Sequence, residues 1–166
     1  MKTISSINIF DLRYERASPE YKYFEKLESD FVKKYELGYI CIPTNGLVNS
    51  GGLAIMGAGL AKDAATRFPR LEEQLGRLLT NFGNQVFRFK KERLFIFPTK
   101  NDWRKPSSLS IIQKSCRQLK ALVYVHNIHA PIYLPKVGCG LGGLRWENVK
   151  PILNQELNSE QYIVIE

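Results

Sequence analysis

The sequence contains no apolar run approaching the ~20 residues needed to cross a bilayer. Its N-terminus, MKTISSINIF, lacks the apolar core and small-residue cleavage site of a secretory signal. The expectation is a cytoplasmic chain with no membrane role. Cysteine is scarce: Cys41, Cys116 and Cys139 are odd in number and form no CxxC pair. Neither a disulfide framework nor a zinc site is expected. There are two histidines, His126 and His129, with no carboxylate cluster beside them. Metal sites usually need three or four ligands, so no metal and no cofactor are expected. Both histidines read as surface residues at a helix end. The chain also lacks internal repeats, low-complexity tracts and linkers, and its 166 residues suit one domain over 1–166.

Acidic residues are outnumbered, 16 against 24 Lys and Arg, for a formal net charge of +8. A basic chain favours a polyanionic partner, either nucleic acid or a phosphorylated ligand. The basic residues are dispersed, with local density at 87–93 (FRFKKER) and 100–105 (KNDWRK). A monomer is the favoured state.

Hydrophobic periodicity gives an alternation of strands and helices. Strands are expected over 3–10, 39–42, 85–89, 93–97, 131–135 and 162–165, with 90–92 as a hairpin turn. Helices are expected over 18–37, 60–68, 71–82, 146–157 and from a cap at Ser107 or Ser108 to Val125. Such an alternation indicates a layered α/β domain with a mixed sheet. Ligands in these sheets sit beyond the carboxyl ends of the strands.

Two stretches stand at such ends. Residues 44–68, TNGLVNSGGLAIMGAGLAKDAATRF, follow a strand and run into a helix, with Gly46, Gly51, Gly52, Gly57 and Gly59 between. Glycine lets backbone N–H groups approach a ligand, and a helix N-terminus favours negative charge. The second stretch is Gly138-Cys139-Gly140-Leu141-Gly142-Gly143, again between a strand and a helix. Two loops suggest a ligand with more than one phosphate, or a phosphate and a sugar. The first loop is not a nucleotide-binding P-loop, because Gly59-Leu60-Ala61-Lys62 lacks the terminal Gly-Lys-Ser/Thr.

Three ordered motifs now stand together: Ile55-Met56-Gly57-Ala58-Gly59-Leu60-Ala61 before a helix, Phe97-Pro98-Thr99-Lys100, and Pro135-Lys136-Val137-Gly138-Cys139-Gly140-Leu141-Gly142-Gly143-Leu144-Arg145-Trp146. In this order the chain resembles a macrodomain. More narrowly it resembles the branch holding terminal ADP-ribose protein glycohydrolase and the DNA ADP-ribosyl glycohydrolase antitoxins. The resemblance covers about 39–149 and implies a three-layer α/β/α macrodomain with a central mixed sheet. Residues 13–38 look like a helical insertion for this family.

The resemblance implies an ADP-ribose site. Asp11, with Leu12 beside it, is the candidate to hold the adenine amine; otherwise Asp11 is a turn or surface aspartate. Met56, Gly57, Ala58, Gly59 and Leu60 are expected around the distal ribose and a phosphate, with Thr44 also among the ADP-ribose-binding residues. Pro135 and Val137 are expected among the ADP-ribose-binding residues, and Gly138, Cys139, Gly140, Leu141, Gly142 and Gly143 are expected to cradle the diphosphate through backbone N–H groups. Asn45 either faces the distal ribose as an assisting group or simply forms a turn. Lys100 matches the lysine this branch uses in deglycosylation, where an amine acts on C1″ or its ring-opened aldehyde, or stabilises the leaving group; its plain alternative is a solvated phosphate contact. Trp103, Arg104 and Lys105 are candidates for nucleic-acid contact, an aromatic beside two cations suiting a base and its phosphate. Trp146 reads as packing its helix onto the sheet.

One position departs from the family. The protein glycohydrolase carries a catalytic aspartate where this chain has Gly142. The DNA-directed antitoxins share the glycine-rich loop and the Phe-Pro-Thr-Lys-x-x-Trp-Arg pattern at 97–104. The expectation is therefore an ADP-ribosyl glycohydrolase acting on nucleobase-linked ADP-ribose of DNA. The alternatives are a non-catalytic ADP-ribose reader and a hydrolase of free derivatives such as ADP-ribose-1″-phosphate or O-acetyl-ADP-ribose.

Overall fold

The computed structural model describes residues 1–4 and 38–165. The helix expected over 18–37, most of the segment read as an insertion, and both Asp11 and Leu12 lie outside the described residues. The first strand, expected over 3–10, is described as β1 (Lys2–Ile4).

Nine elements follow. They are β2 (Tyr39–Thr44), α1 (Gly59–Arg67), α2 (Leu71–Phe82), β3 (Phe87–Phe89), β4 (Leu94–Pro98), α3 (Leu109–Val125), β5 (Ile132–Pro135), α4 (Trp146–Glu156) and β6 (Tyr162–Ile165). The sheet order is β1-β6-β5-β2-β4-β3. All neighbours are parallel except the β3–β4 hairpin. The hairpin turn runs one residue past the expected 90–92, because Arg93 takes a left-handed φ of 57° to close it.

Alternation along the strands sorts the core into two layers. On one face Cys41, Phe95 and Phe97 meet Ile112, Cys116 and Leu119 of α3 and Val149 and Leu153 of α4. On the other, Ile40, Ile42, Leu94 and Ile96 meet Ala64 of α1 and Leu71, Leu75 and Leu79 of α2. The expected three-layer α/β/α fold with a mixed sheet is what the structure shows. Burial raises the thiol pKa of Cys41 and takes that of Cys116 up to about 12, so both are inert core residues. The helices α3 and α4 are locked by Glu156, which accepts from Gln113 Nε2 at 2.8 Å and Arg117 Nη2 at 2.9 Å. No described helix is long and apolar enough to cross a membrane.

The register locates the opening. β2 stays paired to β4 to the end, Thr44 opposite Pro98, and Thr99 N–H continues the ladder to Thr44 O at 3.0 Å. β2 and β5 pair only at Tyr39↔Ile132 and Ile40↔Tyr133. The two strands therefore part toward their carboxyl ends. The chain also turns back there, β4 lying on one side of β2 and β5 on the other, which is where ligands enter such sheets.

Candidate active site

Three loops leave this carboxyl edge from adjacent strands: 45–58 after β2, 99–108 after β4 and 136–145 after β5. They enclose a cleft of ≈ 740 Å³, a size that suits a cofactor-like ligand.

The first loop is built in two parts. Residues 47–55 fold back as a small hairpin, with Ile55 N–H to Leu47 O at 3.1 Å and Asn49 N–H to Leu53 O at 2.8 Å. Asn49 Oδ1 accepts from Gly51 and Leu53 N–H at 2.9 and 3.0 Å and shapes its tip. The hairpin rests on α2, where Ala54 N–H donates to Glu72 O at 3.0 Å and a Cβ on Gly76 would overlap Gly52 O. Gly51 and Gly52 therefore belong to a turn and do not line the cleft. Gly57 and Gly59 do line it, together with Met56, Ala58 and Leu60.

The cleft meets α1 at its N-terminus. The N-cap residue Ala58 supplies no side-chain bond, and the first turn carries no acidic residue. Gly59, Leu60 and Ala61 all line the cleft. An uncapped first turn directs unpaired N–H donors and the positive end of the helix dipole into it.

The second loop closes on itself through Cys139 N–H to Lys136 O at 3.1 Å, Gly143 N–H to Gly140 O at 3.0 Å and Leu144 N–H to Gly138 O at 3.0 Å. Gly138 and Gly143 have φ of 75° and 74°, which only glycine adopts freely. Pro135, Gly138, Gly140, Leu141 and Gly142 reach the cleft wall. Val137, Cys139 and Gly143, expected among the ligand-cradling residues, are not part of that wall. Val137 is buried in the α3/α4 core and Cys139 packs on it. Gly143 completes the turn. Burial raises the Cys139 thiol pKa, and its Sγ–H points at Val137 O, 3.5 Å away.

Lys100, Thr44 and Asn45 also line the cleft. Lys100 follows the end of β4, half-buried. Asn45 is at the cleft but spends its amide on the loop: Nδ2 donates to Ile55 O and Oδ1 accepts from Leu47 N–H, both at 2.9 Å. The structure makes it the tie that closes the 47–55 hairpin.

Of the three residues expected to touch nucleic acid, only Trp103 lines the cleft, and it is 54% exposed at the mouth. Arg104 is clasped by Asp102, with Nε to Oδ1 at 2.9 Å and Nη2 to Oδ2 at 2.6 Å. The Arg104 hydrogen bonds lower the Asp102 pKa to about 2. Its charge is thus matched within the loop, and Lys105 lies exposed outside the cleft wall. The basic stretch 87–93 contributes the turn at the opposite, amino end of β4. Trp146 is half-buried against the α3/α4 core as expected, with Lys136 Nζ 5.7 Å from its ring centroid.

Six residues of the cleft wall were not among the expected site residues: Pro43, Ile55, Ala61, Thr99, Ser107 and Lys136. Ser107 Oγ donates to Thr99 Oγ1 at 3.1 Å, and Ser107 N–H donates to Gly142 O at 2.8 Å. Ser107 thus ties the β4 loop to the second glycine loop. The tandem Ser107-Ser108 held the clue: only Ser108 caps α3, leaving the other hydroxyl for a different partner. The contact also bears on the family's missing aspartate, since a Cβ on Gly142 would overlap Ser107 Oγ and Gly138 O. The backbone here leaves no room for a side chain at 142.

No family model matches the chain. It is 28% identical over 129 residues to a DNA ADP-ribosyl glycohydrolase of Thermus aquaticus, an alignment covering 70% of this chain and 35% of that protein. Among solved structures, the macrodomain of Thermus aquaticus DarG superposes with a TM-score of 0.64 at 26% identity, covering 76% of this chain and 86% of that one. Thermosipho africanus DarTG in complex with ADP-ribose superposes with a TM-score of 0.66 at 23% identity, covering 76% and 37%. The chain spans about a third of the length of the curated relatives it matches, 35% and 33% for the first two.

Proposed function

The chain is a macrodomain of the DarG branch, and on that premise we propose that it binds ADP-ribose in the cleft above β5, β2 and β4 and hydrolyses an ADP-ribosyl bond, its substrate being nucleobase-linked ADP-ribose on DNA. The observation that carries this reading is the meeting of Lys100, the uncapped first turn of α1 and the second glycine loop in one cleft. The relatives' names supply the substrate class.

In this scheme the diphosphate lies between the α1 N-terminus and the 138–142 loop, both of which present backbone N–H groups to negative charge. Asp11 and Leu12 remain the proposed adenine contacts. The distal ribose then faces Lys100. Its amine either attacks C1″, so that the C1″–N bond breaks as the base takes a proton and water then hydrolyses the open-chain imine and frees the lysine, or hands a proton to the departing base while water attacks C1″; in either case water supplies the oxygen at C1″ and the base leaves protonated. Asn45 acts through the loop it closes. Trp103 stacks on the base at the mouth. The scheme uses no metal and no cofactor.

The test is a release assay on ADP-ribosylated single-stranded DNA, run beside glutamate-linked ADP-ribosylated protein. Lys100→Ala is expected to retain ADP-ribose binding by calorimetry and to lose release from DNA by about 100-fold or more. Wild type that binds ADP-ribose but releases nothing from any substrate reduces the protein to a reader. Turnover confined to ADP-ribose-1″-phosphate or O-acetyl-ADP-ribose moves the activity to free derivatives.

A further inference from the structure

Lys100 has to be held if its amine is to meet one carbon of a bound sugar. The side chain that grips its peptide comes from outside the cleft. Asn84 follows α2 directly after the C-cap Gly83. Its Nδ2 donates to Lys100 O at 3.0 Å and to Asn101 Oδ1 at 2.9 Å.

Three features separate this from an ordinary helix-end asparagine. First, Asn84 does no capping for α2: Gly83 N–H bonds Leu79 O at 2.9 Å, and Gln85 Nε2 bonds Phe82 O at 3.0 Å. Second, its carbonyl Oδ1 is buried without a partner. Flipping the amide would set Oδ1 against two acceptors, so the orientation follows from the network. An asparagine that leaves its acceptor unpaired is kept for its donor. Third, the first loop leaves room for it. A Cβ on Gly46 would stand 2.7 to 2.8 Å from the Asn84 side chain, and Gly46 N–H bonds Asn101 O at 3.0 Å. Asn84, Gly46 and Asn101 thus form one clamp on the peptide of Lys100. The neighbouring Thr99 is held separately, through Thr44 O and Ser108 N–H.

We propose that Asn84 is a positioning residue, whose amide fixes the Lys100 peptide so that the lysine amine is aimed at C1″ of the bound distal ribose. The inference rests on the reading of Lys100 given above. Asn84 does not line the cleft, so it acts through Lys100 and leaves ligand affinity alone.

The test uses Asn84→Ala and Asn84→Asp with two readouts. The aspartate keeps the shape and removes the donor, so loss of fold and loss of the hydrogen bond separate; both variants are checked for a wild-type circular dichroism spectrum and ADP-ribose affinity. In the release assay on ADP-ribosylated single-stranded DNA, kcat is expected to fall about 10- to 100-fold with KM unchanged, the size expected for a small misplacement of a reacting group. Lowering the pH to protonate the new carboxyl restores a donor and is expected to recover Asn84→Asp relative to Asn84→Ala. The second readout needs no turnover. The open-chain aldehyde of free ADP-ribose condenses with the Lys100 amine, losing water, and cyanoborohydride reduces the imine to a stable secondary amine that mass spectrometry finds on Lys100. Labelling is expected to slow by a similar factor in both variants. Wild-type kcat and wild-type labelling in either variant overturn the role of Asn84. Wild-type protein that neither releases ADP-ribose from DNA nor labels at Lys100 overturns the reading of Lys100, and this inference with it.

Discussion

The two glycine-rich loops look alike in sequence and are built on different principles. In the loop after β2 the glycines are divided among three jobs. Gly46 makes room for Asn84, Gly51 and Gly52 turn a hairpin tip, and Gly57 and Gly59 open the backbone to the cleft. In the loop after β5 they serve one compact turn pressed against Ser107, Ile112 and Leu144. The first loop is modular and the second is jammed. A change in the first should alter one property at a time, whereas a change in the second should alter stability and ligand binding together.

The largest effect is expected at Gly138→Ala. It combines a left-handed φ with a Cβ 2.8 Å from Ile112 Cδ1 and 3.1 Å from Leu144 Cδ1. Strain and overpacking together should cost about 2–4 kcal/mol by denaturant unfolding, with ADP-ribose binding weakened as well. Gly142→Ala, blocked by a backbone carbonyl, should cost about 1–3 kcal/mol. An aspartate there should not create activity on glutamate-linked protein, because no side chain fits.

Gly52→Ala sharpens the contrast. Its φ of 80° makes alanine strained, yet no atom lies within 4 Å of the added Cβ. About 1–2 kcal/mol should be lost with calorimetric ADP-ribose affinity unchanged. Gly57→Ala should do the reverse. Its Cβ meets nothing within 4 Å of protein but stands on the cleft wall. Stability should stay within about 0.5 kcal/mol, and affinity should drop.

The smallest effect lies in the loop between these two. The Asp102 pKa, about 2, is below its ordinary 3.8 because Arg104 hydrogen-bonds the carboxylate. The ionised form is favoured in the folded protein. Its stabilisation is therefore complete above pH 3.8 and is lost as the pH falls from 3.8 through about 2. A carboxyl titration by NMR reads this directly, and Arg104→Ala should return the midpoint toward 3.8. The pair is exposed, so the change in overall stability should be slight.

Much of the fold was legible because it rests on periodicity. The boundaries of 71–82 and 162–165 are those of α2 and β6, where apolar spacing and flanking Gly83 or chain context are unambiguous. Strand 39–42 came out two residues short, because Pro43 and Thr44 look like loop residues and are held in the sheet only by their partners Phe97 and Pro98. At the cleft, wall residues that carry a local pattern were visible: glycines beside a helix start and Lys100 after a strand. Those that act through long-range side-chain bonds were not. Asn84 carries no local pattern and Ser107 only its tandem with Ser108, since their partners are 16 or 17 and 8 residues away. Arg104 is a candidate for nucleic-acid contact by sequence because the sequence does not show that Asp102, two residues back, binds it face on.

The hairpin of 47–55 has a consequence for how such a protein can be altered. Its base is tied by Asn45 and Gly52 rests on Gly76, while Ser50 and Gly51 at its tip are exposed and line no part of the cleft. Chain inserted at that tip leaves from two antiparallel ends already held together, so the register of β2 and the cleft wall need not notice its length. A fluorophore, an affinity tag or a whole inserted domain can be carried there without displacing a residue of the cleft wall.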